Sequence, residues 1–168
     1  MRKLIILKSI VDLFWILTLP IIPIILFFIP YSFINDGFNF IPFKINGLEV
    51  EIIDLGTKII LSVILLSYLI LIYCIYLFRK ILGSFLRVKI FNTLVVNNFS
   101  KIGYLLIIYS FLTGVPTLIY RFLYAKKITM ELGFSSFILT LCLGFFFMVL
   151  SEIFKISRNM KEENELTI

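Results

Sequence analysis

Four stretches of the chain are apolar over nearly the length of a bilayer crossing, and no other feature limits its fold so strongly. They cover about 9–31, 59–78, 102–120 and 134–154, each approaching the roughly 20 apolar residues that a spanning helix needs. No charge stands near the centre of any of them. In hydrocarbon the backbone N–H and C=O groups must be satisfied within the segment, so such stretches fold as helices. The sequence predicts a single all-α membrane domain over 1–168 with four transmembrane helices. Composition agrees: 61% of residues are apolar and 15% charged, whereas soluble domains are about half apolar and a quarter charged. A soluble globular enzyme is excluded on that ground.

The first stretch follows Arg2 and Lys3 as a secretory signal would. Its apolar region is too long and lacks a small-residue cleavage site, so it is expected to remain as a signal anchor. Pro20, Pro23 and Pro30 make this helix irregular. Gly114 and Pro116 predict a kink in the third.

Orientation follows from the basic residues that flank the spans. Eleven of the sixteen Lys and Arg fall on one side. They are Arg2, Lys3 and Lys8, then Arg79, Lys80, Arg87, Lys89 and Lys101 between the second and third spans, then Lys155, Arg158 and Lys161. Lys44, Lys58, Arg121, Lys126 and Lys127 fall on the other. Both termini and the middle loop are therefore expected in the cytoplasm.

The segment between the first two spans predicts an extracytoplasmic β-hairpin over about 38–53. Asn46-Gly47 sits between two alternating apolar runs, a strong hairpin signal because both turn positions require positive φ. That register places Ile45 opposite Leu48, Phe43 opposite Val50 and Ile41 opposite Ile52, all on one face. Lys44 then stands opposite Glu49 as a favourable cross-strand charge pair. Pro42 falls in a non-hydrogen-bonded pair with Glu51, where its missing N–H does no harm. A lone hairpin is marginally stable, so its apolar face is expected to rest on the helix ends or the headgroups.

The middle loop is basic and partly apolar, and the second helix is expected to continue into it. Asn92 is the expected N-cap of the third helix, which begins near Thr93. The tail 155–168 carries Glu162, Glu163 and Glu165. Acids at a helix C-terminus oppose its macrodipole, so the fourth helix is expected to end near Met160, or the acids to find positive partners such as the basic loop on the same face.

The chain offers little chemistry. It contains no histidine, which removes imidazole metal sites, bases and pH switches. Cys74 and Cys142 lie in apolar runs and read as small buried hydrophobes. The serines at 62, 67 and 110 have no histidine base. Asp12 and Glu152 are boundary carboxylates too isolated to form an aspartyl dyad, and both need positive partners at that depth; Lys8, Arg79, Lys101 or Lys155 could supply them. No catalytic, cofactor or metal site is expected. Arg79, Lys80, Arg87, Lys89 and Lys101, with the tail acids Glu162, Glu163 and Glu165, form the candidate cytoplasmic docking set. Anionic headgroups are the simpler target of those cations, and direct nucleic-acid binding is not expected.

The run from Phe91-Asn92-Thr93 through Asn97-Asn98-Phe99-Ser100-Lys101-Ile102-Gly103 resembles a segment of the bacterial membrane-protein family named domain of unknown function 2975. Ser151-Glu152-Ile153-Phe154 and the ending Glu162-Glu163-Asn164-Glu165-Leu166-Thr167-Ile168 resemble it too. The sequence departs from the family at Val88, where glycine is usual, and at Leu94 and Val95, where an acidic pair is common. The resemblance implies four helices with an outer insertion between the first two. Through frequent gene adjacency it also implies a small helix-turn-helix regulator as partner. The reading from sequence is a non-enzymatic sensor or regulatory membrane protein, in contact with the bilayer, such a regulator and further copies of itself. The alternatives are a small oligomeric transporter or channel, or a structural subunit of a membrane complex.

Overall fold

The computed structural model describes residues 2–34, 44–45, 48–49, 54–87, 90–125 and 136–166. Helices α1 (Arg2–Thr18) and α2 (Ile21–Ile34) are followed by α3 (Leu55–Leu86), α4 (Thr93–Tyr120) and α5 (Ser136–Leu166). Four segments, Arg2–Ile34, Leu55–Leu86, Thr93–Leu123 and Ser136–Glu165, are long and apolar enough to cross a membrane. The chain is a multi-pass membrane protein. At 1.5 Å per residue each segment is about 45–50 Å long, well beyond the roughly 30 Å of a hydrocarbon core.

The helix boundaries have local causes. Pro20 has no N–H to give, and its ring crowds the carbonyl four residues back, so the first rod breaks there. Leu19 N–H closes the end of α1 on Ile16 O at 3.3 Å. Pro23 falls in the first turn of α2, where a missing N–H is tolerated. Asp54 caps α3 by accepting from Thr57 N–H at 2.8 Å. Asn92 caps α4 by accepting from Leu94 N–H at 3.3 Å, as its position before Thr93 led us to expect.

α4 runs unbroken through Gly114 and Pro116. It then loosens into a π-helical turn over Arg121–Ala125. Around the proline, hydroxyls bond to nearby carbonyls: Thr113 Oγ1 donates to Tyr109 O at 2.9 Å, and Thr117 Oγ1 donates to Thr113 O at 2.6 Å.

α4 is the axis of the packing. Its residues Val95, Phe99, Ile102 and Leu106 bury against Cys74, Leu77 and Ile81 of α3. Its other face meets α5 through small residues. A Cβ added to Gly103 would lie 2.9 Å from Gly144 O, and one added to Gly144 would lie 3.0 Å from Gly103 O. Backbones approach this closely only where side chains are absent, the usual device of membrane helix pairs. Three contacts follow one another in antiparallel order along this seam. Ser151 Oγ donates to Val96 O at 2.9 Å, the two glycines meet, and Phe137 covers Gly114.

Several expectations are corrected. The described fold is helical, and a β-hairpin over 38–53 is not an element of it. Among the described residues two two-residue segments pair there, Lys44–Ile45 and Leu48–Glu49, with Lys44 opposite Glu49 and Ile45 opposite Leu48. A ladder of that length cannot stand as a sheet, since even a full two-stranded hairpin is marginal alone. Asn46, Gly47 and the outer pairs of the expected register lie outside the described residues. α1 begins at Arg2, so helix precedes the first apolar stretch. α5 continues to Leu166 rather than stopping near Met160. Cys74 is buried as expected, but Cys142 is exposed on the surface of α5.

Candidate functional site

The charged residues that the sequence marked for attention, Lys89 aside, gather at one end of the bundle, where the start of α1, the α3–α4 connection and the end of α5 lie. At this tail end α3 and α4 extend toward each other as helices, leaving only residues 87–92 between them. The basic segment is therefore mostly helix. Arg79 and Lys80 lie on α3, Lys101 lies on α4, and Arg87 caps α3. Lys89 lies outside the described residues.

Aromatic residues lock the three helices here. Phe99 stacks on Phe154 with centroids 5.2 Å apart and on Phe147 at 5.9 Å, while Phe85 stacks on Phe154 at 5.8 Å. Each contact joins different helices, so the ends of α3, α4 and α5 are held as a unit. Offset aromatic pairs contribute about 0.5–1.5 kcal/mol each beyond burial.

The boundary carboxylates find different partners. The Asp12 carboxylate accepts from Arg79 Nε–H, and this ion pair joins α1 to α3. One turn deeper Trp15 packs on Tyr76 with centroids 5.2 Å apart. Lys80 Nζ lies 4.7 Å from the centroid of that same tyrosine ring, within cation–π range. Glu152 pairs within its own helix, with Lys155 at 3.7 Å. Asp12 thus fastens one helix to another, whereas Glu152 is an exposed local pair.

The tail acids are also engaged locally. Arg158 Nε donates to Glu162 Oε1 at 2.7 Å, and Lys161 Nζ lies 3.5 Å from Glu165 Oε1. These i,i+4 pairs run base to acid, the weaker order on a helix, yet they oppose the unfavourable dipole term and carry α5 past Met160. Glu163 is exposed on the same segment. Glu162 and Glu165 take their cations from α5 itself, whereas Lys101 and Arg87 stand exposed on α4 and at the end of α3.

Sequence reasoning missed the α4–α5 seam and a polar group at the opposite end. There Thr57, Lys58, Thr117 and Tyr120 are all buried. Gly103 and Gly144 were the available signal for the seam, being glycines inside long apolar helices. Among the described residues no group of three His, Cys, Asp or Glu side chains is placed to hold a metal ion.

Neither a curated protein nor a solved structure matches the chain. The family model described as "Protein of unknown function (DUF2975)" matches residues 12–168. That match takes in both the aromatic lock and the charged tail of α5, and the chain belongs to this family.

Proposed function

We propose that the protein is a non-enzymatic sensor or regulatory partner in a bacterial inner membrane, acting on a cytoplasmic transcription regulator. Both termini face the cytoplasm in this reading, as the excess of basic residues at the tail end favours. The observation that carries it is the continuity of α5. The helix passes without a break from its apolar segment into an exposed, charged segment that ends at Leu166. A shift of the helices in the bilayer would move that segment as a rigid extension, because the aromatic lock ties it to α3 and α4. The exposed Arg87 and Lys101 offer a partner positive charge nearby. The family resemblance supplies the class of partner, a small helix-turn-helix protein.

Crosslinking in intact cells, with the full chain and a form lacking Glu162–Ile168, tests this reading. Recovery of a DNA-binding protein with the full chain only is the expected result. Recovery of the same proteins with both forms would remove the tail from the account. Flux into proteoliposomes separates the reading from a transporter or channel, since a sensor conducts nothing.

A further inference from the structure

An open cleft of about 250 Å³ runs between the first and last helices. Val11 and Phe14 of α1 form one wall, Leu143 and Phe147 of α5 form the other, and Cys74 of α3 and Ile102 of α4 lie in the floor. All these side chains are apolar apart from one thiol. The cleft lies within the membrane-crossing segments, so water is not its natural filling.

We propose that the cleft holds an acyl chain of an anionic phospholipid whose headgroup rests against Lys8 and Arg79. An apolar cavity of about 150 Å³ takes up benzene, so this one accommodates on the order of ten carbons of a chain. Charge then selects the lipid. Lys8 lies one turn from Val11 on the same helix face and is half-buried. Arg79 directly follows Phe78, another lining residue. Asp12 engages only the Nε–H of its guanidinium, a group with five donors, and the others are available to a phosphate. The inference does not depend on the regulatory reading.

The test uses the full chain purified in mild detergent, offered equal amounts of phosphatidylglycerol and phosphatidylcholine, with retained lipid read by native mass spectrometry. One phosphatidylglycerol per chain is the expected product. Leu143→Trp and Phe14→Trp fill the cleft from opposite walls, and each should reduce retention on the order of tenfold, the effect of displacing about two methylene groups. Lys8→Gln should keep the chain bound and lower the preference for the anionic lipid about fivefold. Circular dichroism identifies a wall variant that has lost its fold, and the other then decides. Equal retention by the wild type and a folded wall variant would overturn the proposal. So would equal retention of the two lipids, a free fatty acid in place of phospholipid, or a second copy of the chain in place of lipid.

Discussion

The α1–α2 arm is close in length and hydropathy to each membrane-crossing segment of the α3–α5 unit, yet arm and unit are built differently. In the unit, α4 buries residues on two faces, one toward α3 and one toward α5. In the arm no residue of α1 is buried, and Ile25 alone is buried in α2. The unit is held by aromatic stacking, a glycine seam and a buried hydrogen bond. The arm is held to α3 chiefly by the Asp12–Arg79 pair and the Trp15–Tyr76 contact. Hydropathy measures transfer from water into lipid and is blind to this difference. Once in lipid, helices associate through close packing and hydrogen bonds, because the tails are as apolar as leucine.

The difference can be broken from the unit's side first. Phe99 touches rings from both neighbouring helices, and Phe99→Ala should lower the stability of the unit by about 3 kcal/mol, read as thermal unfolding in detergent. Gly103→Val forces a Cβ to within 2.9 Å of a backbone oxygen. That contact cannot be relieved by a rotamer change, and about 2 kcal/mol should be lost. Ser151→Ala removes the hydrogen bond to Val96 O and should cost about 0.6 kcal/mol, the average for such bonds between membrane helices.

Changes in the arm should leave those transitions in place. Asp12→Asn removes the charge pair to Arg79, and the expected outcome is a shift in the emission of Trp15, the single tryptophan in the chain. The unfolding midpoint of the unit should stay within experimental error. The smallest effect belongs to the tail. Glu162→Gln removes one exposed i,i+4 pair with Arg158, worth about 0.3–0.5 kcal/mol. It should be seen only as faster amide exchange in the last turns of α5.

What was legible in the sequence was what lipid and local backbone chemistry dictate. The four spans follow from apolar length, the start of α4 from Asn92, and the break after α1 from proline content. The macrodipole argument alone stops α5 near Met160, and the alternative, cations that answer Glu162 and Glu165, looked to the basic loop rather than to α5 itself. Arg158 and Lys161, one turn earlier, answer them. The hairpin was over-read for a related reason. Asn46-Gly47 and alternating residues fix a register if strands form, but register does not supply the packing that makes a sheet persist. The partner of Asp12 was open among four cations, since choosing between them needs the register of α1 on α3. The glycine seam was missed because Gly103 and Gly144 mark positions of close approach, but nothing in one helix says which face its neighbour takes.

Spin-label distances test the central claim, a rigid three-helix unit with a separately attached arm, most directly. The exposed Cys142 on α5 can be labelled while Cys74 is buried, and a second label enters through Ile108→Cys on α4 or Leu13→Cys on α1, both exposed positions. In lipid nanodiscs the α4–α5 distribution should be narrow and unchanged by Asp12→Asn, while the α1–α5 distribution should broaden on that change. An α1–α5 distribution as narrow as the α4–α5 one in both forms, or a shift of both together, would contradict the account.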